Sequence, residues 1–220
     1  MAFPTGWNRK CKITFDHTKV AETIVNDAWL LTEVNLPSEM FDADGQYPAL
    51  NGGGDIRCST DSAGATEIAR HIVSFVTDNN PALGTAQIWV NIPSLSSSVD
   101  TDIYVWYNNP SATEPAVDSA YGQYNTYNSN VKASWHLEES GNGTGDEYKD
   151  STHHQYHGTG QGGIPNQIVG KIKNGQEIVG SSADKINCGN VLNITTESFT
   201  LEFWFRKDAS SSTFPVLFSK

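Results

Sequence analysis

Apolar residues recur at every second position in several short stretches of this chain, and that period specifies β-strands with one buried face. Cys11, Ile13 and Phe15 share a face, as do Ile88, Val90 and Ile92, then Ile103, Val105 and Tyr107, and finally Phe199, Leu201, Phe203 and Phe205. Between them lie turn formers such as Asn51-Gly52-Gly53-Gly54-Asp55. The first 110 residues predict strands over 10–16, 28–36, 56–60, 66–76, 87–93 and 102–107, with Pro93 closing the fifth. Strands at this spacing, with no convincing helix between them, indicate an antiparallel β-sandwich.

Residues 111–131 are polar, tyrosine-bearing and turn-rich, and read as a packed linker. A second pattern begins at Trp135 and places strands over 133–138, 176–179, 184–188 and 199–205, with another starting at Val216. The expected organisation is therefore a sandwich over 1–110, a linker over 111–131 and a further β domain over 132–220. About 90 residues with so many unpaired strand edges do not close a two-sheet structure, so the second domain is expected to be incomplete.

Charged residues are only 18% of the chain, which suits half-buried strands better than long surface helices. The formal net charge is −11 and the pI about 4.8. Such a surface repels phosphate backbones, so nucleic acid is excluded as a partner; membrane insertion is excluded because no apolar run approaches 18 residues. The start, Met1 to Trp7, lacks a basic segment followed by an apolar one, so no secretory leader is read there. Cys11 and Cys58 fall on strands as small core residues, with a disulfide between them left open, and Cys188 makes the number odd.

Gly6-Trp7-Asn8-Arg9-Lys10, Gly53-Gly54-Asp55-Ile56-Arg57, Ile88-Trp89-Val90-Asn91-Ile92-Pro93 and Ile103-Tyr104-Val105-Trp106-Tyr107-Asn108 come in a fixed order. Together they resemble a widespread microbial β-sandwich family catalogued as a domain of unknown function. Asn108-Asn109 stands where that family usually has Gly-Asn. Trp135-His136-Leu137-Glu138, Tyr148-Lys149-Asp150-Ser151-Thr152, His157-Gly158-Thr159, Gly170-Lys171 and Phe199 to Phe205 resemble laminin-G/concanavalin A-like domains. That second resemblance implies an incomplete jelly roll that binds glycans or proteins, in some members through calcium.

Three aromatics, Trp89, Tyr104 and Trp106, alternate out of phase with the core positions and so point to the outer faces of their sheets. There they serve as a stacking platform or contact surface, unless the tyrosine-bearing linker or the second domain covers them. By the jelly-roll resemblance, Asp150 is the calcium position, with Glu138 and Asp146 as helpers, calcium being the one cofactor expected. The opposing reading makes Asp150 a turn former that caps backbone N–H groups. His153, His154 and His157 lie in a glycine-rich loop and read as surface residues. Glu138 and Glu139 are adjacent, so on a strand they point to opposite faces and do not flank one glycosidic bond. No nucleophile elbow or phosphate loop is present, and no enzyme is expected.

The expectation is a non-enzymatic virion structural or accessory protein with an adhesive jelly roll. Its partners are other virion or surface proteins and host glycans, and it is expected to form an oligomer. The alternative is a glycan-binding module pair of a secreted or surface-anchored bacterial protein, which places it at the cell surface or outside the cell.

Overall fold

A computed structural model describes residues 3–178, 184–192, 198–207 and 218–219. The chain divides into two compact units, Met1–Val131 and Lys132–Lys220. The fold is all-β with antiparallel sheets, and the described helical segments are single 3-10 turns. Among the described residues no helix is long and apolar enough to cross a membrane.

The first unit contains seven strands: β1 (Arg9–Phe15), β2 (Ile24–Thr32), β3 (Arg57–Ser59), β4 (Glu67–Ile68), β5 (Arg70–Val76), β6 (Thr85–Leu95) and β7 (Thr101–Tyr107). They form a four-stranded sheet in the order β1-β7-β3-β4 and a three-stranded sheet in the order β2-β6-β5. Alternation turns Ile103, Val105 and Tyr107 of the first sheet toward Leu31, Ile88 and Val90 of the second, and these residues share one buried core. Cys11, Ile13 and Phe15 of β1 pack along its rim.

Three expectations shift. The run 66–76 is two strands: Glu67 and Ile68 pair with β3, and from Arg70 the chain pairs with β6 in the other sheet. The second strand ends at Thr32 in a 3-10 turn over Glu33–Asn35. Pro93 does not end β6, which continues to Leu95. There β6 pairs on one side with β2, and the ladder skips Asn26, whose φ of 50° marks a local irregularity that accommodates a residue without an N–H. Cys11 and Cys58 are free thiols, as the sequence reading favours. Both face Val105, from opposite sides of β7. Two strand spacings put their Cα atoms roughly 10 Å apart, beyond the reach of a disulfide, about 7 Å.

In the second unit the described strands are β8 (Thr159–Gln161), β9 (Asn166–Val169), β10 (Asn174–Glu177) and β11 (Lys185–Asn187), paired as β9 with β10 and β8 with β11. Isolated bridges join Trp135 to Asp150 and Tyr148 to Gly158. Segment 133–138 is thus held by one bridge rather than a strand ladder. The expected core strand over 199–205 is not a strand in the structure, and Phe199, Phe203, Trp204 and Phe205 are exposed. Alternation alone does not make a strand; backbone N–H and C=O groups need a neighbouring strand to pair with. Most of the strand expected from Val216 lies outside the described residues.

Candidate functional site

Trp7, Leu50, Asp55 and Asn109, far apart in sequence, are joined by hydrogen bonds in the first unit. Gly53 turns the chain with a φ of 73°, and a Cβ there would press within 3.2 Å of Ile56, Ile72 and Phe75. The turn delivers Asp55 into a fully buried position. One Asp55 carboxylate oxygen accepts from the Leu50 N–H at 2.9 Å and the other from the Asn109 N–H at 3.0 Å. The Trp7 indole N–H donates to the Asp55 carbonyl. Asp55 thus joins the N-terminal segment, the glycine turn and the chain leaving β7. Replacing it with alanine leaves two N–H groups unsatisfied, a loss of about 2–4 kcal/mol on equilibrium unfolding in urea.

Two guanidiniums lie beside it. Arg57 donates to the carbonyls of Gly54, Ile56 and Thr113 and pairs with Glu67 at 3.4 Å. Arg70 is completely buried; its Nε donates to the Ile56 carbonyl at 2.8 Å. Both Arg70 terminal nitrogens bond the Glu114 carboxylate, one of them at 2.8 Å. A planar guanidinium matched to a carboxylate in this two-bond geometry is the strong form of an ion pair. Burial, then the nearby charge of Arg70, pulls the Arg57 pKa below its ordinary value, and burial pushes that of Glu67 up. Both Glu67 and Glu114 counter the positive charge.

Segment 111–131 belongs to this unit. Beyond the bond from Glu114, the Arg70 N–H donates to the Tyr121 carbonyl at 3.2 Å, Asn91 donates to the Thr126 carbonyl at 3.1 Å, and the His71 ring bonds the Tyr127 hydroxyl at 3.0 Å. His71 and Asn91 flank Trp89 on the outer face of β5 and β6, so the tyrosine-bearing segment lies across that face.

The three outward aromatics are not brought together. Trp89 is half-buried on the three-stranded sheet, while Tyr104 and Trp106 sit on β7 of the other. Tyr104 is half-buried, but Trp106 is only 8% exposed. Its indole N–H donates to Ser59 at 2.8 Å, the Lys10 ammonium lies 4.6 Å from its ring, and Phe3 packs edge-on against it at 5.6 Å. The linker cover that the sequence offered lies on the face around Trp89, while at Trp106 Phe3 and Lys10 pack against the indole, contacts no local pattern announces.

In the second unit Asp150 is 1% exposed. One carboxylate oxygen accepts from the N–H groups of Ser134 and Thr152 at 2.9 and 3.0 Å; the other accepts from the Thr152 hydroxyl and the Tyr156 N–H, each at 2.9 Å. Four donors saturate it, so the structure places Asp150 as a turn former. The ligand atoms of Asp150, Glu138 and Asp146 do not converge. Glu138 receives the Asn174 N–H at 3.3 Å, and Asp146 sits in an exposed turn with a φ of 59°. Among the described residues, three potential ligands gather only at Asp16, His17 and Asp100, within 4.8 Å of one another on exposed loops. There the carboxylates bond Thr18 and His17.

His153 is exposed and stacks on His154, with ring centres 3.9 Å apart, in the loop expected from sequence. His157 lies inward enough for its Nδ1 to accept the Asp150 N–H at 3.0 Å. His136 is buried enough to hold its pKa down to about 4, against 6.5 for an ordinary imidazole. The folded unit therefore binds its proton more weakly than the unfolded chain. That contribution to stability is complete above pH 6.5 and is lost as the pH falls toward 4. The melting temperature of the second unit should drop over this window, and the drop should be smaller in His136→Gln than in the parent.

Residues 52–138 match the model of a Domain of unknown function (DUF2341). The match covers the glycine turn, Asp55, Arg57, Arg70 and Glu114, and extends past Val131 into the second unit's sequence. No curated protein and no solved structure matches the chain.

Proposed function

We propose that the chain is a non-enzymatic structural or accessory protein of a virus particle, a decoration, fibre or tail-associated subunit. In this reading the first unit is a scaffold that docks onto the particle. The second is a laminin-G/concanavalin A-like module that adheres to host glycans. The observation that supports it most is the commitment of one polar cluster in the first unit. Trp7, Asp55, Arg57, Arg70, Asn109 and Glu114 spend their polar groups on holding chain segments together. Charged and polar residues gathered in one place serve a catalyst only if they reach a substrate. Here they are paired with one another and with backbone groups, as a rigid scaffold requires. The acidic balance suits a particle surface that must not capture its own nucleic acid.

The test is fractionation of the source culture with an antibody raised against the chain. Co-sedimentation with nuclease-resistant particles through a density gradient is expected. Recovery in the cell envelope or the cleared medium alone overturns the particle-borne reading and leaves a secreted or surface-anchored glycan-binding pair.

A further inference from the structure

Trp106 is an outward-facing residue on an outer sheet face, yet it is buried, with the Phe3 ring and the Lys10 ammonium both against its indole. Cross-strand neighbours put Lys10 and Arg57 on either side of Trp106, and Lys12 and Ser59 on either side of Tyr104. Without Phe3, this row is an aromatic floor edged by cations. Phe3 lies edge-on to both Trp106, at 5.6 Å, and Trp7, at 5.3 Å. The loop that receives it is built independently of it. The Asp61 carboxylate accepts from the N–H groups of Ala63, Ala65 and Thr66 at 2.8–3.0 Å, and Gly64 closes the turn with a φ of 72°. A Cβ on Gly64 would lie 2.9 Å from Pro4 and 3.1 Å from Phe3, so the glycine leaves the space that the strap fills.

Within the strap the Pro4 carbonyl accepts from the Trp7 N–H at 3.2 Å, and Trp7 is pinned in turn by the indole bond to Asp55. Phe3 and Pro4 are themselves half-exposed. Swinging them away breaks edge contacts and the one bond from Trp7 to the Pro4 carbonyl, and leaves the Asp55 side-chain bonds whole.

We infer that Phe3 is a displaceable strap over a ring-binding site formed by Trp106, Tyr104 and Lys10, whose ligand is a pyranose carrying a carboxylate. An indole face suits the apolar C–H face of a sugar ring. The charge follows from the cations. Lys12 pairs with Asp102 and Arg57 with Glu67, whereas the described partners of Lys10 are the Ser62 carbonyl and the two rings. An ammonium resting on neutral groups beside an aromatic floor is complementary to an anion. The inference is independent of the particle-borne reading.

The experiment is calorimetric titration of the full chain with trigalacturonate and with its methyl ester. A strap that is closed about ten times as often as open lowers apparent affinity about tenfold. Phe3→Ala should therefore bind trigalacturonate about tenfold more tightly than the parent. Gly64→Asn, which keeps a residue tolerant of positive φ while crowding the strap, should move affinity in the same direction. Trp106→Ala in the Phe3→Ala background should abolish binding, and Lys10→Met there should remove the preference for the acid over the ester. Acrylamide quenching gives a ligand-free readout: Phe3→Ala should raise it, and the rise should vanish in a Trp106→Phe background. The strap is overturned if both strap variants, with parental melting temperatures, bind no more tightly than the parent. The ligand class is overturned if the ester binds as well as the acid, or if neither binds the opened variant.

Discussion

Replacing Arg70 with alanine is expected to cost the first unit about 3–5 kcal/mol of unfolding free energy, from the cavity left by a fully buried side chain and the Ile56 carbonyl left without its donor. Arg70 is fully buried and joins three parts of the chain: the carbonyl of Ile56, the carboxylate of Glu114 and, through its own N–H, the carbonyl of Tyr121. Truncation leaves a cavity the size of its stem and strands the acid that brings segment 111–131 onto the sheet. The Glu114 side chain is 48% exposed, so it regains water when its partner is lost. Glu114→Ala leaves the more deeply buried charge without its counter-ion. Arg70→Met, which refills the volume, should recover part of the Arg70→Ala loss, because packing and charge both contribute. Urea denaturation followed by tryptophan fluorescence reads all three; a loss under about 1 kcal/mol for Arg70→Ala contradicts the structural role assigned to it.

The second large effect is expected at Asp150. Alanine there removes the acceptor for four donors at once, and hydrogen bonds to a charged group are worth about 1.5–3 kcal/mol each when taken singly. They act as one network and do not add, so a total of about 3–5 kcal/mol is expected. Asn keeps one carbonyl oxygen and should lose roughly half as much. This separates the turn former from a calcium ligand. Thermal melting of the parent should be the same in calcium and in EDTA, because the oxygens a cation needs are already occupied. A calcium-dependent rise in melting temperature that disappears in Asp150→Asn contradicts this assignment.

The sandwich was legible where burial is one-sided. β1 keeps strict alternation because one face meets the core and the other meets solvent, whereas β7 departs from it at Trp106, which is buried on the outer face. The junction at Ala69 was not legible, because Thr66 to Val76 reads as one apolar-rich run while the chain changes sheets within it. Arg70 was the available signal: an arginine inside a run assigned to the core must be paired. The glycine turn, Asp55 and Arg57 were recognised as a motif without a role, since their partners are 54 and 56 residues away at Asn109 and Thr113. Trp106 failed as an open platform for the same reason: Phe3 is a long-range neighbour, and period-two reasoning places a side chain on a face without saying what else lies there. At 199–205 the pattern was a strand's, but alternation reports a preference that only pairing fulfils.

The central claim, that Arg70 and Glu114 clamp segment 111–131 to the sandwich, is tested most directly by a double-mutant cycle between them. Arg70→Met, Glu114→Ala and the double variant are unfolded in urea beside the parent. The clamp predicts that the two losses are far from additive, with a coupling energy of about 1–3 kcal/mol. Additive losses, with coupling indistinguishable from zero, contradict it.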